Sequence, residues 1–259
     1  SAMQRPSMHR GKRTDRMAMF RTLIASAWLV IGLIVGPVHS QNTAPPTKPA
    51  GDRLVNAVRI RAEVWADNWF AFYLGDKFVA EDSVPITTER SFNAETFTFE
   101  DQYPLTLNFV VKDFKENDTG LEYIGTRRQQ MGDGGLIAQF TNADTGKLIA
   151  VTNAEWRCKV IHDAPLDSSC EKAAEPVAGK APCEFISLEE PPHWRWAGFD
   201  DSKWAFATVF TAREVGPKGG YDEIRWDPAA NFIWGPNLKT NNTVLCRLKV
   251  TGTTNRSVQ

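Results

Sequence analysis

The chain has little charge of one sign: 30 Lys and Arg stand against 31 Asp and Glu, a formal net charge of -1. Without a basic face there is no counterion release to drive association with nucleic acid, and that class of partner is excluded. Long helical periods are missing, which excludes a helical bundle. No internal repeat occurs, so solenoids are set aside as well. The 4 cysteines form no close CxxC pairs, which argues against a zinc site. There is no nucleophile elbow, HExxH helix, phosphate loop or dinucleotide fingerprint. Adjacent acids such as Glu81 with Asp82 and Glu189 with Glu190 alternate across a strand and so do not flank one bond. Enzymatic function therefore has no sequence motif behind it.

What is present begins with a leader. Arg10, Lys12, Arg13, Arg16 and Arg21 precede an apolar run from Leu23 to Val35, which is short for a membrane span. Pro37-Val38-His39-Ser40 then breaks the helix and offers small residues for cleavage after Ser40. Residues 1–40 are predicted to be a cloning remnant (Ser1-Ala2) and a signal peptide, and residues 41–52, rich in Pro, Thr and Ala, a flexible linker. Residues 53–252 are expected to form one domain and 253–259 a disordered tail. The expected product is secreted or periplasmic, with no membrane span after processing.

The mature part alternates with the period of half-buried strands. Val58, Ile60, Ala62 and Val64 alternate with Arg59, Arg61 and Glu63, and Phe70, Phe72 and Leu74 continue the pattern up to a reversal at Gly75-Asp76. Phe97 and Phe99 alternate with threonines, as do Leu105, Leu107, Phe109 and Val111 with Thr106 and Asn108. Leu136–Phe140 and Leu148–Val151 flank a polar turn at 142–146, and Phe232–Trp234 and Val244–Val250 close the series. Many short strands with polar turns and no intervening helices give an all-β antiparallel sandwich or barrel. Two long segments, Asp113–Gly135 and Asp163–Pro192, carry no period and are predicted to be irregular loops.

An even number of cysteines in an exported chain favours disulfides. Three pairings are possible. Cys170 with Cys183 is favoured because both fall in one irregular loop, and Cys158 with Cys246 because both lie in strand-like runs.

Asn68–Val79 resembles the strand and turn, ending in Asn-Gly-x-x-Val, that marks galactose-binding-like jelly rolls of glycoside hydrolases; Gly75-Asp76 keeps the turn and lacks the asparagine. Gly146–Trp156 is similar to a later strand, turn and Trp in the accessory N-terminal domain of bacterial α-L-rhamnosidases, and Phe199-Asp200-Asp201-Ser202-Lys203-Trp204 to the motif that follows there. Phe232–Pro236 and Leu245–Arg247 resemble the opening strands of such domains but lie at the other end, an order that a circular permutation explains. The resemblance implies a galactose-binding-like jelly roll with long irregular loops. It does not by itself imply hydrolase activity.

Of 9 tryptophans, only Trp28 lies in the leader. A flat indole can stack on the apolar face of a sugar while Asp, Asn and Arg bond its hydroxyls, although large aromatics also fill the space between sheets. Trp69 is out of phase with Phe70 and Phe72 and is the better exposed candidate, beside Asp67 and Asn68. Arg127, Arg128 and Asp133 sit in a loop with Gly132, Gly134 and Gly135 and can clasp a carboxylate or diol. Trp194 and Trp196 complete the candidate ligand-binding set. Asp67, Asp133, Asp200 and Asp201 offer oxygens to a structural calcium, without an EF-hand loop, while Asp200-Asp201-Ser202 also fits a turn cap.

After residue 40 only His162 and His193 remain. Two imidazoles can hold copper(I), and His193-Trp194-Arg195-Trp196 is similar to the pairing of histidine with tryptophan in a small class of exported copper-binding proteins. The reading adopted is an exported non-catalytic module for a glycan or similar polar ligand. The alternatives are a copper-binding protein using His162 and His193, and a structural or partner-binding surface protein.

Overall fold

The computed structural model describes residues 56–252. The leader, the 41–52 linker and the 253–259 tail fall outside the described residues. In chain order the strands are β1 Val58–Asp67, β2 Trp69–Leu74, β3 Lys77–Glu81, β4 Ala94–Asp101, β5 Leu105–Lys112, β6 Leu121–Glu122, β7 Gln130–Met131, β8 Gly135–Asn142, β9 Leu148–Val151, β10 Arg157–Asp163, β11 Ile186–Ser187, β12 Ala205–Phe206, β13 Thr208–Phe210, β14 Phe232–Trp234 and β15 Asn241–Val250. One sheet has the order β13-β14-β8-β1-β4 with β9 on β8, the other β11-β10-β15-β5-β2-β3 with β12 on β10, and β6 pairs only with β7. Every pairing is antiparallel. The protein is an all-β sandwich.

Period-two alternation decides which side chains meet between the layers. From β1, Ile60, Ala62, Val64 and Ala66 enter the core, and from the opposite sheet Phe70, Phe72, Leu107, Phe109 and Val111 meet them. Phe72 lies 4.9 Å from Phe109 and 5.4 Å from Phe140 between ring centroids, so the aromatic alternation of β2 knits the two layers. The hairpin reverses at Gly75-Asp76, with Leu74 paired to Lys77 and Gly75 at φ +58°, a conformation that favours glycine.

The strands are more buried than alternation alone foretells. β5 is buried at all but its last position, although a half-buried strand would leave every second residue wet. The reason is a cover on each outer face. Trp194, Trp204 and Phe199 pack on Ala71, Val110, Ile161 and Leu245 outside the second sheet. On the first sheet, Val215, Tyr221 and Trp226 pack with Trp65, Ile137 and Phe232. Irregular chain thus shields both sheets from water.

The two disulfides join Cys158 to Cys246 and Cys170 to Cys183. Cys158 and Cys246 face each other across β10 and β15. Cys170 and Cys183 pack with Leu121, tying the second irregular segment to the first. Among the described residues no helix is long and apolar enough to cross a membrane.

Candidate functional site

Two places gather polar and aromatic groups. The first is a cleft of about 290 Å³ on the outer face of the second sheet, lined by Asp76, Glu190, Pro191, Pro192, His193, Trp194, Arg195 and Trp196. Trp194 is 1 % exposed and belongs to the packed layer, while Trp196 is 51 % exposed. The His193 ring lies 3.9 Å from that of Trp196, so one indole face is backed and the rest is free. Glu190 accepts from both Trp194 Nε1 at 2.8 Å and the Arg195 guanidinium at 2.6 Å. Arg195 also lies 4.1 Å over the Tyr73 ring.

This wall is fixed from below. Asn108 of β5 donates to the Arg195 carbonyl, and buried Arg247 of β15 donates to the carbonyls of Trp196 and Phe199. Arg247 is neutralised by Asp201 at 2.9 Å. Asp200 accepts from the Ser202 amide and caps the turn that delivers Trp204. Glu190 also lines an adjoining cleft of about 330 Å³ with Lys112, Lys115, Asp118 and His162 among its walls.

The second place is the end of the sandwich where the chain crosses from one sheet to the other. Asp67 ends β1, Asp113 follows β5, and Asp133 precedes β8, whose Gly135 pairs with Asp67. One carboxylate oxygen from each lies within 4.8 Å of those of the other two. Asp67 is 1 % and Asp113 3 % exposed. No oxygen of either carboxylate accepts a well-formed hydrogen bond; the Phe114 amide, which donates to Asn68 Oδ1 at 2.6 Å, lies close enough to Asp113 to oppose the rise of its pKa. Lys218 Nζ stands 3.3 Å from Asp133 and 3.9 Å from Asp67.

Burial pushes both buried carboxyls well above the usual carboxylate range, with the Asp133 charge adding to it at Asp67 and the Asp67 charge adding to it at Asp113. Nearby Glu122 is pushed up to about 7, chiefly by burial, while a hydrogen bond from Gln130 opposes the shift. The glycines of this loop serve close approach. A Cβ on Gly132 would fall on the Asp113 carboxylate, and one on Gly134 on the Trp234 ring.

The structure thus divides the residues singled out in the sequence. Asp67 and Asp133 come together, joined by Asp113 and Lys218, which sequence reasoning missed. A signal for Asp113 existed: it directly follows an apolar strand, much as Asp67 closes one. Asn68 lies beside Asp67 with its amide engaged, accepting from Phe114 N and donating to the Glu89 carbonyl. Trp194 and Trp196 share the cleft. Trp69, on the outer face, lies partly buried beneath Lys112, whose Nζ is 5.1 Å from its ring. Arg127 is exposed and Arg128 stacks 3.9 Å over Tyr123; neither lines the cleft, and among the described residues the cation paired with Asp67 and Asp133 is Lys218.

His162 is buried, with Nδ1 2.9 Å from Asn242 Oδ1 and Nε2 3.2 Å from Asp118 Oδ1. Burial pulls its pKa down. Among the described residues, neither histidine joins a group of three ligating side chains. Compared with protein-family models, curated proteins and solved structures, the chain matches none of them.

Proposed function

We propose that this protein is an exported, non-catalytic binding module of the galactose-binding-like kind, and that it takes a glycan or similar polar ligand in the cleft at Trp196. The observation that carries this reading is the half-exposed Trp196, backed on one face by His193 and flanked by Asp76, Glu190 and Arg195. An indole face offers apolar area to the C–H face of a pyranose, and charged groups around it bond the hydroxyls. The wall is held in place before any ligand arrives, which lowers the entropy lost on binding. Two disulfides favour an oxidising compartment.

A glycan array probed with the full chain and with Trp196→Ala tests this reading. Retention of one or more glycans by the wild type, lost in the variant, is the expected result. An array with no retained glycan would contradict it.

A further inference from the structure

We propose that Asp67, Asp113 and Asp133 form a binding site for a hard divalent cation, calcium by preference, at the end of the sandwich remote in sequence from the Trp196 loop. Three carboxylates converge from three separate elements. An acidic cluster alone is commonplace on protein surfaces, but this one is not a solvated face. Asp67 and Asp113 are buried, and none of their four oxygens accepts a well-formed hydrogen bond, the nearby Phe114 amide being given to Asn68 Oδ1. A carboxylate taken from water and given no donor costs several kcal/mol unless it takes up a proton or a cation meets its charge.

Lys218 meets only part of that charge. Its ammonium is near Asp133 and Asp67, and Asp113 forms no ion pair with it closer than 4.0 Å among the described residues. One positive charge therefore faces three carboxylates, with Glu122 close by. The Lys218 side chain is 46 % and that of Asp133 39 % exposed, so the group is open to solvent on that side.

Donor type and spacing point to calcium. All three donors are oxygens, which suit hard cations over copper or zinc. Calcium holds its ligands at about 2.3–2.6 Å, so oxygens facing one another through it lie up to about 5 Å apart. The separations here, within 4.8 Å, fit that sphere. Gly132 belongs to the same design, because only a residue without a side chain lets the loop close down on Asp113 and bring Asp133 into place.

The test uses the full chain stripped with a chelator and titrated with calcium chloride, read by calorimetry and by thermal unfolding. One calcium per chain is expected, with a rise in Tm of roughly 5–10 °C at a hundredfold excess over Kd. Asp133→Asn, a change at a half-exposed position that the core tolerates, is expected to weaken binding at least tenfold. Lys218→Gln removes the competing ammonium and is expected to tighten it. No heat and no shift in the wild type would overturn the proposal, as would an unchanged response in Asp133→Asn. Neither Trp196 nor Arg195 belongs to this group, so glycan retention is scored independently.

Discussion

Arg247 lies beneath Trp196 and donates to its backbone carbonyl at 2.9 Å. The same guanidinium donates to the Phe199 carbonyl at 3.0 Å and pairs with Asp201, and its side chain is wholly buried. Asp201 and the two carbonyls offset the burial of this charge, while Nε has no acceptor. Arg247→Met removes the cation, strands Asp201 and leaves two carbonyls unbonded. The expected cost is about 3–5 kcal/mol in urea unfolding, accompanied by faster proteolytic cleavage between residues 193 and 204.

The Trp196 ring, by contrast, adds little to the fold. Trp196→Ala is expected to change stability by no more than about 0.5–1 kcal/mol, since half the side chain is already in water. Trp194→Ala, at a buried position packed against Trp204, is expected to cost about 3–5 kcal/mol. Denaturant curves of the two variants separate the exposed from the packed indole.

Asp82 makes stability depend on pH. Burial raises its carboxyl from 3.8 to about 7, with Glu95 and Glu81 adding to the shift and a hydrogen bond from the Val84 amide opposing it. A raised carboxyl favours the folded state fully below the unfolded pKa, and this contribution is lost as pH rises through the folded pKa. Between pH 4 and pH 8 the loss is at most about 4 kcal/mol. Asp82→Asn keeps an acceptor for Val84 and removes the titration. The difference in unfolding free energy between variant and wild type is therefore expected to grow in the variant's favour from pH 4 to pH 8. That difference isolates Asp82 from His162, whose lowered pKa works in the opposite sense: its contribution is present above the unfolded pKa and lost as pH falls.

The two disulfides should differ in worth. Cys158–Cys246 closes a sequence separation of 88 and Cys170–Cys183 one of 13. Loop-closure entropy puts removal of the first at about 4–5 kcal/mol and of the second at about 3 kcal/mol. Paired Cys→Ser variants measured by urea unfolding check the order. Thiol titration of the unreduced protein is expected to find no free cysteine.

Gly132→Ala would drive a methyl group into the Asp113 carboxylate. A loss of about 1–3 kcal/mol is expected, because the loop must shift to relieve the clash. Thermal unfolding of the variant checks it.

Much of the sandwich was legible in the sequence. β1, β2, β5 and β15 each carry the period-two pattern, and Gly75-Asp76 marks its turn by composition. Local rules could not show that β5 is covered on both faces, since the cover comes from Trp194 and Trp204 far along the chain. The same non-locality hid the carboxylate group. Asp67 and Asp133 stood out beside aromatics and glycines, but Asp113 follows a strand of the other sheet and Lys218 follows a single helical turn, Ala212–Val215. Trp69, chosen for its phase, does point outward; the chain then folds over that face and leaves it partly buried.

The most direct measurement is calorimetric titration of a retained glycan into the wild type and into Trp196→Ala. Stacking on the indole is expected to give the wild type an affinity at least about tenfold higher, with the variant folded and within about 1 kcal/mol of the wild type in stability. Equal affinity of the two proteins would contradict binding at Trp196.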